Sequence, residues 1–175
     1  MPRIKAVSEA SDEALEKLID EIRSERGGKL LLLYQVLLNS PPVARGWLKL
    51  LTAIRQQTSL PGALRELVIL RIAILNGASY EFEAHAPIAI AEGLDKGWIG
   101  ELSRGGTPDG MPEREKAVLA YTDAMTRDIT VPEQTYRAMA AHFDERQILE
   151  LTATIAAYNM VSRLLVALEV HAEHT

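Results

Sequence analysis

The chain of 175 residues contains no cysteine. That absence excludes disulfide scaffolds, thiolate metal centres, iron–sulfur clusters, thiol nucleophiles and dithiol redox chemistry, so any chemistry must run on oxygen and nitrogen groups. Aromatic residues are scarce, with two Trp, five Tyr and two Phe. Basic charge is not in excess: 19 Lys and Arg stand against 24 Asp and Glu, a net charge of −5. Phosphate neutralisation needs clustered Lys and Arg, and no such block occurs, so no nucleic-acid partner is expected. Long hydrophobic runs are missing as well. The most apolar stretch, Leu67 to Leu75, is broken by Arg71 and reaches about half of the roughly 20 residues that a membrane span requires. Met1-Pro2-Arg3-Ile4-Lys5 leads into charged residues, which argues against a signal peptide. The expectation is a cytoplasmic protein with no membrane partner.

What is present is apolar content: 47% of the residues are hydrophobic and 25% are charged. This suits one folded domain spanning 1–175 rather than a disordered chain. Apolar residues recur at spacings of three and four, with Gly and Pro as punctuation, and this predicts an all-α, compact multi-helix fold. A first helix starts near Ser8 or Ser11 and stops at Gly27-Gly28. Leu30 to Leu38 is a second piece, and Ser40 caps a third bearing Trp47, Leu48, Leu51 and Ile54. Thr58-Ser59-Leu60-Pro61 starts a helix through Leu64 to Leu75 that is apolar nearly all round and so is expected to be buried. After Asn76-Gly77 another helix carries Tyr80, Glu81, His85 and Ala89 up to Glu92-Gly93. Ser103 to Gly110 is the clearest loop. Helices over Glu113 to about Arg127, Pro132 to Phe143 and Asp144 to about Glu173 complete the chain.

The residues with chemical potential gather between Glu66 and His85. Glu81 and His85 are four apart, so they share a helix face, and a carboxylate beside an imidazole is a general acid/base unit. Tyr80 adds a phenolic donor. Glu66 lies one helix earlier, 19 residues before His85, and faces the pair if the two helices fold back on each other. Glu66 and Arg71 sit in a helix otherwise too apolar to be solvated, and buried charges are costly unless paired. Two carboxylates and one histidine also form a possible metal set. The spacing is not that of HExxH, however, and His142, His171 and His174 are scattered, so no metal is expected.

Arg65-Glu66-Leu67-Val68-Ile69-Leu70-Arg71, then Tyr80-Glu81-Phe82-x-x-His85, then Tyr158-Asn159-Met160-Val161-Ser162-Arg163, resembles the carboxymuconolactone decarboxylase and alkylhydroperoxidase D (AhpD)-like family, from about Leu30 to Val170. The thiol-dependent branch of that family uses a Glu, a Cys-x-x-Cys and a His four residues after the second Cys. Here Glu66 and His85 match the Glu and the His, while the cysteine positions fall on Ala78 and Glu81. A thiolate peroxide relay is therefore unavailable. The resemblance implies the cysteine-free arm and a decarboxylase-like lyase acting on a small lactone or carboxylate, with no cofactor. It implies His85 as acid/base, Glu81 and Glu66 as orienting and relaying partners, and Tyr80 as a donor to a substrate oxygen. Arg71 or Arg163 would anchor a substrate carboxylate, although each arginine also reads as an inter-helix ion pair. The alternative is a family member that lost its Cys-x-x-Cys and acts as another hydrolase or isomerase, or as a non-catalytic helical assembly. Leu30 to Leu38 and the last helix, with Leu151, Ile155, Val161, Leu164, Leu165 and Leu168, offer more apolar face than a small bundle needs. Together with the resemblance, this predicts a homo-oligomer, a trimer or hexamer.

Overall fold

A computed structural model describes residues 1–171. Among these the fold is all-α, with no strand. The described chain divides into two compact units, 1–57 with 167–171, and 58–166.

The first unit contains α1 (Glu13–Glu25), α2 (Leu32–Leu37) and α3 (Pro41–Gln56). α1 begins later than the serines suggest. Asp12 is its N-cap, accepting from the Leu15 N–H at 2.9 Å, and Ser11 only donates to the Asp12 carboxylate. Leu15, Leu18, Ile19 and Ile22 form its buried stripe. α2 is shorter than its apolar run. Ser40 precedes α3 without a side-chain cap bond, and Pro41 supplies the first helical residue, where a missing N–H costs nothing. Trp47, Leu48, Leu51 and Ile54 are buried along α3.

The second unit contains α4 (Gly62–Leu75), α5 (Ser79–Ala91), α6 (Lys96–Ser103), α7 (Glu113–Arg127), α8 (Glu133–Ala140) and α9 (Glu145–Ala167, of which 145–166 belong to this unit). α4 is its central element, packed against α5, α6 and α7, and every residue from Glu66 to Ala73 is buried. An antiparallel turn joins α4 to α5. The Ala78 N–H bonds the Ala73 carbonyl at 2.8 Å and the Gly77 N–H bonds the Ile74 carbonyl at 3.2 Å, a Schellman closure. Gly77 has φ +67°, a left-handed conformation in which a Cβ is strained. At the far end of the pair the Glu92 carboxylate lies over Gly62, in the space a Cβ there would occupy.

Two differences from the sequence reading have local causes. α6 was not expected, because Gly97 and Gly100 dilute its apolar pattern; Asp95 starts it by accepting from the Gly97 and Trp98 N–H groups at 2.7 and 3.1 Å. α9 ends at Ala167, ahead of Glu169 at φ +52°, whereas the expected end at Glu173, and His174 with it, lie outside the described residues. No helix among the described residues is long and apolar enough to cross a membrane.

Candidate functional site

The antiparallel turn at Gly77 brings Glu66 of α4 opposite His85 of α5. His85 Nδ1 lies 2.7 Å from Glu66 Oε2, and the residues are 8% and 1% exposed. A carboxylate accepting from the Nδ1 proton fixes the ring tautomer and leaves Nε2 with the lone pair, free to take a proton. The carboxylate that orients the imidazole is thus Glu66, 19 residues away, and not Glu81 at i−4 as the helix spacing suggested. Arg65 lies beside this pair, its Nε 3.5 Å from Glu66 Oε1 and its Nη2 3.5 Å from Glu92 Oε1.

Glu81 occupies the same buried face of α5 one turn before His85, at 2% exposure. Neither of its oxygens has a hydrogen-bond partner among the described residues. Burial raises its pKa from the ordinary carboxyl range to about 8, and the neighbouring Ser162 hydroxyl acts in the opposite direction. The Ser162 hydroxyl proton is committed to the Tyr158 carbonyl at 2.6 Å, and its oxygen accepts from Asn76 Nδ2 at 3.2 Å. Burial thus favours the neutral form of Glu81, which is a hydrogen-bond donor.

α9 closes the site from the other side. The Tyr158 ring meets the His85 ring edge-on, centroids 5.3 Å apart at 89°, an arrangement that aromatic quadrupoles favour. Asn159 links three elements, donating to Thr126 Oγ1 of α7 at 3.0 Å and accepting from Asn76 Nδ2 at 3.1 Å. Sequence reasoning placed Tyr158, Asn159 and Ser162 only in a resemblance motif. Their spacing of one helical turn, polar residues on an otherwise apolar buried face, was the available signal.

The two arginines do not join this cluster in the same way. Arg71 makes paired 2.6 Å bonds to the two oxygens of Asp123 on α7 and donates to the carbonyls of Gly105 and Gly106 at 3.2 and 3.1 Å. Asp123 raises the Arg71 pKa further, and Arg71, 4% exposed, ties α4 to α7 and to the loop that follows α6. Its geometry is that of the inter-helix ion pair rather than a substrate anchor. Arg163 is exposed on α9 and reaches the Thr126 carbonyl at 3.5 Å. Tyr80 is half-buried at the start of α5. Beside it, a cleft of about 280 Å³ is walled by Ala73, Ile74, Gly77, Ser79, Phe82, Glu83 and Ser103, without Glu66, Glu81 or His85. No group of three His, Asp or Glu side chains suited to a metal ion occurs among the described residues.

An all-α, AhpD-like fold with a buried carboxylate–imidazole pair and no thiol is the class these features define. Residues 41–124 match the carboxymuconolactone decarboxylase family model. The uncharacterized protein YdfG of Bacillus subtilis is 27% identical over 115 residues, 65% of this chain and 78% of that protein. A crystal structure from Agrobacterium tumefaciens, of a protein of unknown function proposed to be the antioxidant-defence protein AhpD, has a TM-score of 0.71 at 26% identity, covering 77% of this chain and 93% of that one. The AhpD core of an uncharacterized peroxidase-related protein from Ralstonia eutropha has a TM-score of 0.80 at 17% identity, covering 99% and 93%. The chain is thus similar, over residues 41–124 and in its fold, to the carboxymuconolactone decarboxylase and AhpD-like family, and it carries no cysteine.

Proposed function

We propose that the protein is an enzyme of cofactor-free proton transfer on a small lactone or carboxylate, with decarboxylation as the reaction the family supports best. The single observation that carries this reading is the buried Glu66–His85 hydrogen bond of 2.7 Å. In a β,γ-unsaturated lactone acid, the bond to the carboxyl carbon breaks, carbon dioxide leaves, and the electron pair enters the unsaturated lactone. His85 then returns a proton to carbon from Nε2, Glu66 stabilises the imidazolium while that proton is held, and water resupplies it. Tyr80, if it turns toward the substrate, donates to a ring oxygen. Of the two arginines read as substrate anchors, Arg163 is the exposed one. The test is carbon dioxide release from a β,γ-unsaturated lactone acid by wild-type protein and by His85→Gln.

The protein is also proposed to act as a homo-oligomer, a trimer or hexamer. Support comes only in part from the residues the sequence suggested: Leu151, Ile155, Val161 and Leu165 are buried within the chain, whereas Leu164 and Leu168 are half-buried and Leu31 is exposed. Exposed apolar side chains include Leu149, Met160 and Val166 on α9 and Ile90 on α5, with Ala84 and Pro87 beside it. On α5 the buried face carries Glu81 and His85 while Ala84, Pro87 and Ile90 are exposed, which runs against the pattern of a solvated helix. Light scattering at micromolar concentration should give a multiple of the 19.3 kDa chain mass, and Met160→Glu should lower it; a monomeric wild type contradicts the reading.

A further inference from the structure

Glu81 stands apart from the polar groups around it. It is 2% exposed, it projects from the same face as His85, and neither carboxyl oxygen has a hydrogen-bond partner among the described residues. The surrounding elements supply no counter-charge that would justify burying an anion. On α5 the neighbour is His85, one turn on, held through Nδ1 by Glu66. On α4 the charged groups are Arg65, Glu66 and Arg71; Arg65 lies 3.5 Å from each of two carboxylates, those of Glu66 and Glu92, and Arg71 is engaged by Asp123. On α9 the nearby groups are Tyr158, against the His85 ring, and the exposed Arg163, which donates to the Thr126 carbonyl, while Ser162 already gives its proton to the Tyr158 carbonyl. Burial in such surroundings favours the protonated carboxyl, and besides the Ser162 hydroxyl, itself engaged by Tyr158 and Asn76, nothing around it makes use of its O–H. Structural carboxyls are ordinarily satisfied by backbone N–H groups, hydroxyls or arginines, and leaving one idle is costly unless something arrives to use it.

Resting on the proton-transfer reading above, we propose that Glu81 in its neutral form is the receptor for the substrate's carboxylate, donating its O–H to an anionic oxygen while His85 carries the proton to and from carbon. The arrangement divides the labour between two titratable groups pushed apart by their surroundings. It selects small carboxylates over uncharged analogues, because an O–H donor to a charged oxygen forms the stronger bond. It also sets an upper pH limit, since an ionised Glu81 would meet a carboxylate ligand with like charge.

The experiment is binding of furan-2-carboxylate, a small planar ring acid, to the full chain by isothermal titration calorimetry from pH 6 to pH 10. Wild-type protein should bind with a constant Kd up to about pH 8 and then weaken about tenfold for each further pH unit, following Glu81 ionisation. Glu81→Gln keeps a neutral donor of the same shape, so it should bind at pH 6 within a few-fold of wild type and show no weakening above pH 8. The methyl ester of the probe should bind at least tenfold more weakly than the acid at pH 6. A wild-type Kd that is flat to pH 10, an alkaline weakening that persists in Glu81→Gln, or no binding at pH 6 would each overturn the proposal. The readout is independent of turnover: loss of the decarboxylase reading leaves the alkaline binding limit in place, and loss of that limit leaves His85-dependent turnover in place.

Discussion

Removing Asp123 isolates a buried charge. Arg71 is 4% exposed and sits in the apolar core of α4, with both of its short side-chain bonds, 2.6 Å each, made to Asp123. In Asp123→Ala the guanidinium keeps only the carbonyls of Gly105 and Gly106. Breaking one partner out of a buried pair costs about 3 to 5 kcal/mol. The Asp123 side chain is 23% exposed, so water replaces part of what is lost and about 3 kcal/mol is the better figure. For a chain of this length each kcal/mol shifts the melting temperature by roughly 2 to 4 °C, which gives a drop of about 6 to 12 °C by circular dichroism. The double replacement Arg71→Met with Asp123→Leu removes both charges and should recover most of that loss, because an apolar pair of similar volume is often as stable as the ion pair. It should also keep turnover at a permissive temperature, since Arg71 is engaged structurally. A melting temperature unchanged in Asp123→Ala would refute the argument from burial, and a stable but inactive double variant would return Arg71 to substrate binding.

Two further predictions follow from the same structure. Glu81 has a folded pKa raised to about 8 against an unfolded value near 4.5, so the folded state holds the extra proton between these values. Stability is therefore full below about pH 4.5 as far as Glu81 is concerned, and it falls as pH rises to about 8, at a slope of up to about 1.4 kcal/mol per pH unit. Urea titrations at pH 6 and pH 9 should show this decline in wild type and its loss in Glu81→Gln; equal declines in both would contradict it. Ile129 has φ +64° and is 81% exposed, a conformation that a β-branched side chain adopts at a cost with no burial to offset it. Ile129→Gly should raise the melting temperature by roughly 2 to 4 °C, corresponding to about 1 kcal/mol, and a lowered value would show that Ile129 makes contacts its exposure does not suggest.

The helical character of the chain and the burial of α4 were legible in the sequence because a run from Leu67 to Ala73 with hardly a polar residue has only one stable location. The α4–α5 turn was legible because Asn76-Gly77 is a strong stop and Gly77 supplies the positive φ. The proximity of Glu66 and His85 followed from that turn. The identity of the orienting carboxylate was not legible: i, i+4 spacing puts Glu81 and His85 on one face but does not make them bond, and the antiparallel partner helix supplied the nearer acceptor. The isolation of Glu81 was hidden for the same reason, since it depends on what α9 brings and on Ser162 directing its proton to the Tyr158 carbonyl. α6 was missed because an Asp cap carries it rather than apolar periodicity. The exposed apolar positions of α9 were misassigned because periodicity identifies an apolar residue but not which side of the helix its own chain covers.

The measurement closest to the central claim is turnover of a β,γ-unsaturated lactone acid in deuterated water, read by NMR as carbon dioxide release and deuterium gained at carbon, in wild type, His85→Gln and Glu66→Gln. The account predicts that wild type forms product with one deuterium at the carbon that is protonated. It predicts that His85→Gln loses at least about a hundredfold in rate while keeping its helical spectrum, and that Glu66→Gln falls between the two. Full activity in His85→Gln, or no product from folded wild type, would contradict it.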